Sequence, residues 1–201
     1  MSFDSKKDAK TVNKVIEALK ANGISAELAS REDAKDAALK QVPKDAEVFT
    51  MTSITLETLG IAKEINESGN YKSARNIFYS QDSSLDPSQK RKLGAGPDVA
   101  MGSVHAVTED GKVMIASNTG SQLAAYAYGA GKVVWVVGTQ KIVKDIDEGL
   151  KRINEHAVPL EDARALKAYG IHTNLSKLLI INKETNPERL HIIFVDDVIG
   201  F

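Results

Sequence analysis

Apolar residues recur at helical spacing near the beginning of the chain. Val12, Ile16 and Leu19 fall on one side of a predicted helix over residues 5–21. Gly23 follows, and glycine readily adopts the left-handed backbone conformation with which helices commonly end. The segment therefore predicts an amphipathic helix that packs on a core.

Short apolar blocks alternate with amphipathic stretches after this helix. Blocks at 24–29 and 47–51 predict strands. The stretches that follow them, 30–41 and 53–65, predict helices. Alternation of this kind is typical of an α/β domain, in which helices cover a sheet.

The most continuous apolar block, VVWVV, covers residues 133–137. No polar residue interrupts it, so both faces of the predicted strand are apolar. Strands with two apolar faces lie inside parallel sheets that helices cover on both sides. We therefore predict that this strand is the centre of the domain, with two further strands at 178–181 and 190–195.

An Asp-Gly pair, Asp110 and Gly111, separates two more strand candidates at 99–107 and 112–116. This pair between apolar blocks is typical of a tight β-hairpin. The hairpin is predicted to have its tip at Asp110 and Gly111.

The remaining segments have weaker patterns. Residues 71–79 predict a helix, and residues 81–97 predict a helix plus a surface loop, because they are rich in Ser, Asp, Pro and Gly. Two helices are predicted near the end, one over 145–156 and a shorter one after Pro159.

Composition indicates an ordinary globular protein. The chain has 201 residues, 42% hydrophobic and 26% charged, so we expect a single domain over 1–201. A net charge of -1 lacks the broad attraction that nonspecific nucleic-acid binding needs. No apolar stretch has the length of a membrane span or a signal peptide, so we expect a cytoplasmic protein without a nucleic-acid or membrane partner.

The chain contains no cysteine. Disulfides, Cys-ligated iron–sulfur clusters and a cysteine nucleophile are therefore excluded. The four histidines show no spacing typical of a metal site, so no metal is expected.

Two loops rich in small and hydroxyl-bearing residues are the main candidates for a binding site. Backbone N–H groups and hydroxyls can hold an anion there, and a lysine adds a full positive charge. If the strands before the two loops are parallel neighbours, the loops converge at the edge where α/β sheets bind ligands. The alternative is that these residues only cap a helix and form a turn. The candidates are Ser117, Asn118, Thr119, Gly120 and Ser121 in the first loop, and Gly138, Thr139, Gln140 and Lys141 in the second.

Glu109 at the hairpin is the candidate for acid, base or covalent chemistry. The alternative is a solvated turn carboxylate without a chemical role. A nearby aromatic pair, Tyr126 and Tyr128, is interpreted as core or subunit contact, and we expect a homodimer.

The sequences VTEDGKVMIASNTGSQ at 107–122 and AYGAGKVVWVVGTQKIV at 127–143 resemble the lactate-utilisation (LUD) domain family. The likeness is to its small single-domain branch and continues through PLEDAR at 159–164 to VIGF at 198–201. It implies a three-layer α/β/α fold with a mixed, mainly parallel sheet, of the type found in sugar-phosphate isomerases and CoA transferases.

The resemblance also bears on the site. The family often has an arginine in the loop after the hairpin; here Ser121 stands there, and Lys141 supplies the positive charge. The tetrapeptide at 108–111 is similar to an element in which CoA transferases carry a nucleophilic glutamate. No cofactor is evident, but a CoA-like or phosphorylated small molecule is compatible with the loops.

Two functions follow from the resemblance. One is an enzyme or a subunit in lactate utilisation or related small-acid metabolism, of the transferase, isomerase or lactate-oxidation kind, which binds a small anionic metabolite bearing a phosphate or carboxylate. The other is a non-catalytic assembly or binding module for an iron–sulfur partner oxidoreductase. Chemistry at Glu109 requires that its carboxylate reach the anion site, whereas an assembly role does not.

Overall fold

Six parallel strands form the larger sheet of the computed structural model, which describes residues 3–80 and 84–201. Residues 133–138 are all buried in the interior strand of this sheet, as the apolar block predicts. Across the sheet the order is β1 (Ser25–Ala29), β10 (Leu190–Val195), β7 (Lys132–Gly138), β4 (Val99–Gly102), β2 (Glu47–Thr50) and β3 (Lys72–Ser73).

Four further strands form a second, mixed sheet with the order β8 (Ile142–Val143), β5 (Ala106–Thr108), β6 (Val113–Ser117) and β9 (Lys177–Ile181). β5 and β6 pair antiparallel around the Asp110 and Gly111 turn, which confirms the predicted hairpin. Gly111 has a φ of 81° there, a conformation that favours glycine.

The second sheet corrects two expectations. The apolar block at 99–107 is not one strand, because Ser103 to His105 separate β4 in the larger sheet from β5 in the smaller one. β6 and β7 are not parallel neighbours either, since they belong to different sheets. The two candidate loops therefore do not follow adjacent strands.

The helices are α1 (Ala9–Ala21), α2 (Ala34–Lys40), α3 (Ile54–Thr58), α4 (Ile61–Glu67), α5 (Ala74–Tyr79), α6 (Pro87–Ala95), α7 (Ser121–Ala124), α8 (Ile146–Arg152) and α9 (Val158–Tyr169). α1 begins where the Asp8 side chain accepts a hydrogen bond from the Thr11 N–H group. α7 continues into a π-helical turn, Ala125–Gly129. Part of the predicted segment 81–97, residues 81–83, lies outside the described residues.

α8 and α9 are continuous rather than separate. A π-helical turn, Ile153–Ala157, joins them, and Pro159 lies at the start of α9. A proline within a helix lacks the N–H group of the regular hydrogen-bond ladder, and the change to a π-helical turn coincides with this interruption.

The two faces of the larger sheet are covered by different helices. Val134 and Val136 of β7 pack on the side of α2, α3 and α4, whereas Val133, Trp135 and Val137 point to the opposite face. That face contacts α1 and α5, together with residues of the second sheet. The result is the three-layer α/β/α arrangement that the alternation and the resemblance imply.

α8 and α9 cover the outer side of the second sheet. Ile153 and Val158 pack there against Met114 and Val143. Within the described ranges, no helix has the length and apolar character needed to cross a membrane.

Candidate functional site

A pocket of about 430 Å³ lies at the carboxyl ends of the parallel strands of the larger sheet. Met51 to Thr55 line it after β2, Ser103 to His105 line it after β4, and Lys141 lines it after β7. Open α/β sheets bind ligands at this edge, because loops from neighbouring strands meet there. The pocket is therefore the candidate functional site.

The Lys141 side chain forms part of the pocket wall. The residue is only 1% exposed, and its Nζ donates to Ser103 Oγ at 3.1 Å, Val104 O at 3.2 Å and Phe201 O at 3.1 Å. Among residues 3–80 and 84–201, no Asp or Glu side chain forms an ion pair with it. Burial, and secondarily the Arg152 charge, holds the pKa of Lys141 well below its usual value.

His105 lines the pocket as a neutral imidazole. Its Nδ1 accepts a hydrogen bond from the Ala116 N–H group at 3.1 Å, which places the ring proton on Nε2. Desolvation, with smaller contributions from the charges of Lys141 and Arg152, lowers the pKa of His105 to about 3. The ring therefore offers an N–H donor rather than a positive charge at neutral pH.

Arg152 lies fully buried behind the pocket wall. Its Nη1 donates to the His105 carbonyl oxygen at 2.6 Å, whereas Nε and Nη2 have no hydrogen-bond partner among the described residues. Its charge acts on both Lys141 and His105. The site therefore places two buried basic residues, Lys141 and Arg152, near each other, an arrangement that favours an anionic ligand.

The first candidate loop contributes to the opposite wall. Ser117, Asn118, Thr119 and Ser121 line the pocket. Gly120, with a φ of 85°, turns the backbone beside them, and its N–H group donates to Ser117 Oγ at 2.9 Å. The loop therefore presents hydroxyl and amide groups to the same space that Lys141 reaches.

Most of the second candidate loop points elsewhere. Gly138, Thr139 and Gln140 do not line the pocket. Thr139 is fully buried and its Oγ1 has no hydrogen-bond partner in the described chain, while Gln140 Nε2 donates to the carbonyl oxygens of Ile199 and Gly200 at 3.0 Å each. Only Lys141 from this loop lines the pocket.

Glu109 is placed away from the pocket. Its carboxylate forms an ion pair with Lys14 of α1 at 2.8 Å, and its backbone N–H group donates to Val143 O at 2.9 Å. It is not among the residues that line the pocket. The carboxylate is partly exposed and outside the pocket, which favours the alternative of a turn carboxylate without a chemical role.

α9 and the residues after it form a third wall. Arg164 donates from Nε and Nη2 to Glu161 at 2.7 and 2.6 Å, and its guanidinium lies 5.4 Å from the Tyr169 ring centroid. His172 Nδ1 lies 2.8 Å from Asp162 Oδ2. The charges on this wall are therefore largely paired, in contrast to Lys141.

Of the two tyrosines, Tyr126 is buried and Tyr128 is exposed. Tyr126 is 1% exposed and meets Trp135 edge to face at a centroid distance of 5.3 Å, whereas Tyr128 is 89% exposed. Burial raises the pKa of the Tyr126 hydroxyl. Self-association through surfaces such as that of Tyr128 stays a prediction.

Sequence reasoning missed Ser103 and His105 as pocket residues. It assigned both to a continuous strand, and their position after Gly102, where polar residues enter an apolar block, is the signal that marks the strand end. Arg164 was also missed, because nothing in a helical pattern indicates which pocket its polar face lines. Within the described ranges, no group of three or more His, Asp or Glu residues could hold a metal ion.

Comparison with known proteins adds a family and a fold. The model of the LUD domain family matches residues 12–195. No curated protein matches the sequence. Among solved structures, a DUF162 family protein from Deinococcus radiodurans is similar over 97% of this chain and 99% of its own, with a TM-score of 0.60 and 13% identity. At this identity the similarity concerns the fold.

Proposed function

The chain belongs to the LUD domain family, and from this premise we propose that it binds a small metabolite bearing a carboxylate or a phosphate in the pocket that Lys141 lines. The resemblance to lactate-utilisation proteins makes small carboxylic acids the first class to test. The pocket volume of about 430 Å³ lies in the range of small-molecule binding sites.

One observation carries this proposal: a lysine that is 1% exposed lines an open pocket without an acidic side chain as its partner in the described chain. Burying a cation costs free energy, and the three hydrogen bonds of Lys141 offset that cost only in part, because its pKa stays well below the usual value. A ligand anion that reaches Nζ supplies a compensating negative charge. The charge of Arg152, 0% exposed behind the wall, favours the same ligand.

The 117–121 loop is the second part of the proposed site. Thr119 Oγ1 and Ser121 Oγ lie 3.1 Å apart, and both residues line the pocket. Hydroxyl groups can exchange a mutual hydrogen bond for one to a carboxylate or phosphate oxygen, which is the stronger acceptor. We therefore propose that Lys141 supplies the positive charge for the anion and that the hydroxyl groups of this loop donate hydrogen bonds to its oxygen atoms.

The test is a comparison of anion binding by the wild type and by Lys141→Met. Thermal shift first screens lactate, pyruvate, phosphate, sugar phosphates and CoA, and calorimetry then measures the dissociation constant of the best ligand. A charge-assisted hydrogen bond contributes roughly 1.5 to 3 kcal/mol, so the variant should bind about ten- to a hundredfold more weakly.

Lys144→Met is the matched control, because Lys144 lies three residues away and its side chain is 81% exposed. It should bind as the wild type does. Methionine keeps the apolar volume of the buried lysine stem, so circular dichroism should show that Lys141→Met remains folded. The proposal fails when no anion stabilises the wild type, or when both lysine variants bind equally well.

A further inference from the structure

We infer that Lys141 forms a Schiff base with a ligand that carries a carbonyl group next to its anion, such as a small α-keto acid. The inference rests on the proposed function, because the same pocket must hold the anionic ligand. All three residues that hold the amine, Ser103, Val104 and Phe201, line the pocket together with Lys141. The Lys141 side chain therefore belongs to the part of the pocket wall that a ligand would contact.

The hydrogen bonds of Lys141 suit an uncharged amine. Val104 O and Phe201 O can only accept, at 3.2 and 3.1 Å from Nζ, and they use two N–H groups. Ser103 Oγ, at 3.1 Å, can either accept from an ammonium group or donate to the lone pair of a neutral amine. Loss of a proton therefore leaves no buried polar atom of this cluster without a partner.

The surrounding charges also favour the uncharged amine in the empty pocket. Arg152 acts on Lys141 with a like charge, and burial removes the water that would stabilise an ammonium ion. His105 is neutral, so it adds no positive charge beside Lys141. Lysines desolvated beside another cationic group are activated nucleophiles, because more of the amine is unprotonated at neutral pH.

The covalent step balances without an oxidant or a reductant. The Nζ lone pair attacks the carbonyl carbon of the ligand, and the carbonyl oxygen takes up a proton to give a carbinolamine. The hydroxyl group then leaves as water while a C=N bond forms. In total, the carbonyl oxygen departs with two hydrogen atoms from the amine, and the ligand carboxylate is unchanged.

The experiment uses the full chain with pyruvate as the probe and sodium cyanoborohydride as the trapping reductant. Reduction of the imine adds to the lysine the mass of pyruvic acid less one oxygen atom, and peptide mapping locates it. We expect trapping at Lys141 to exceed that at exposed Lys144 by about tenfold, because burial and the charge of Arg152 leave more of the Lys141 amine unprotonated.

Two variants and one competitor make the test specific. Lys141→Arg cannot form an imine, so it should lose trapping at position 141. Lys144→Arg should leave trapping at Lys141 unchanged. Lactate, which has a carboxylate but no carbonyl group, should protect wild-type Lys141 from trapping when it occupies the same pocket.

The outcomes separate this inference from the proposed function. Lactate binding without preferential trapping at Lys141 overturns the Schiff base and leaves anion binding intact. If Lys141 is trapped preferentially but lactate does not reduce the trapping, the carbonyl ligand does not bind in the anion pocket, and that part of the inference is wrong. If no anion binds and Lys141 is not trapped, both proposals fail. Because trapping is read on the wild type, the result stands even when Lys141→Arg does not fold.

Discussion

The imidazole Nδ1 of His105 accepts a hydrogen bond from the backbone N–H group of Ala116 at 3.1 Å. This bond joins the segment after β4 to the end of β6, and so connects the larger sheet to the smaller one at the pocket wall. A protonated imidazole has no lone pair with which to accept. This hydrogen bond therefore requires the neutral form of His105.

His105 should make the protein less stable in acid. Its pKa is about 3 in the folded state and about 6.5 in an unfolded chain, so the unfolded chain binds the proton first as the pH falls. This residue has no effect well above pH 6.5, and stability is lost between about 6.5 and 3. The loss is at most about 1.4 kcal/mol per pH unit.

The measurement is urea unfolding of the wild type and His105→Gln at a series of pH values. The free energy of unfolding should fall less steeply with acid in the variant. His172→Gln is the control, because the His172 side chain is 69% exposed. Parallel pH profiles for the wild type and His105→Gln would contradict the prediction.

Anion binding should be accompanied by proton uptake at Lys141. Burial and Arg152 lower the pKa of this lysine in the free protein, and a bound anion favours the ammonium form and raises it. Between the free and bound pKa values, binding takes up a proton, so affinity falls as the pH rises through that range.

Calorimetry with lactate in two buffers of different ionisation enthalpy measures this uptake, since lactate cannot form an imine. The uptake should be absent in Lys141→Met. Identical heats in both buffers for the wild type, together with clear binding, would show that the charge of Lys141 does not change.

Thr139→Val should be neutral or stabilising and should leave anion binding unchanged. Thr139 is fully buried, its Oγ1 has no partner in the described part of the chain, and it does not line the pocket. Removing a buried unpaired hydroxyl relieves a cost of about 1 to 3 kcal/mol, while valine keeps the shape. Thermal unfolding measures the change in stability, and calorimetry measures anion binding. Weaker binding by Thr139→Val would show that Thr139 contributes to the ligand site.

Gly111→Ala should destabilise the protein more than Gly170→Ala. Both glycines have a positive φ, 81° and 70°, so both substitutions strain the backbone. A Cβ at Gly111 would lie 2.7 Å from the backbone carbon of Ala18, whereas nothing lies within 4 Å of a Cβ at Gly170. Overpacking typically costs about 1 to 3 kcal/mol, which is the expected difference in the free energy of unfolding. Equal losses would mean that the hairpin shifts away from α1 without cost.

Several features follow from the sequence because their causes are local. The apolar residues 133–137 must avoid water on both faces, so the buried strand β7 is predicted wherever its neighbours lie. The Asp110 and Gly111 turn needs a conformation that glycine adopts readily, which predicts the hairpin. The helical spacing of Val12, Ile16 and Leu19 likewise predicts the buried face of α1.

The tertiary structure decides which of these elements meet. The pattern at 99–107 is mostly apolar, and the polar residues Ser103 and His105 mark a strand end without showing that the chain enters a different sheet at Ala106. Burial patterns record that a residue avoids water, not which strand it pairs with. For the same reason the sequence grouped Thr139 and Gln140 with Lys141, although only Lys141 lines the pocket.

Some residues of the candidate site could likewise be identified from the sequence, whereas the properties of others depend on the tertiary structure. Residue type alone indicated Lys141 and the hydroxyl groups at 117–121, because cations and hydroxyls bind anions in any fold. The neutral state of His105 and the like charge of Arg152 depend on burial and on contacts between segments far apart in the chain. Glu109, by contrast, was a candidate from its residue type, but the tertiary structure places it outside the pocket. The packing of the hairpin on α1 pairs its carboxylate with Lys14.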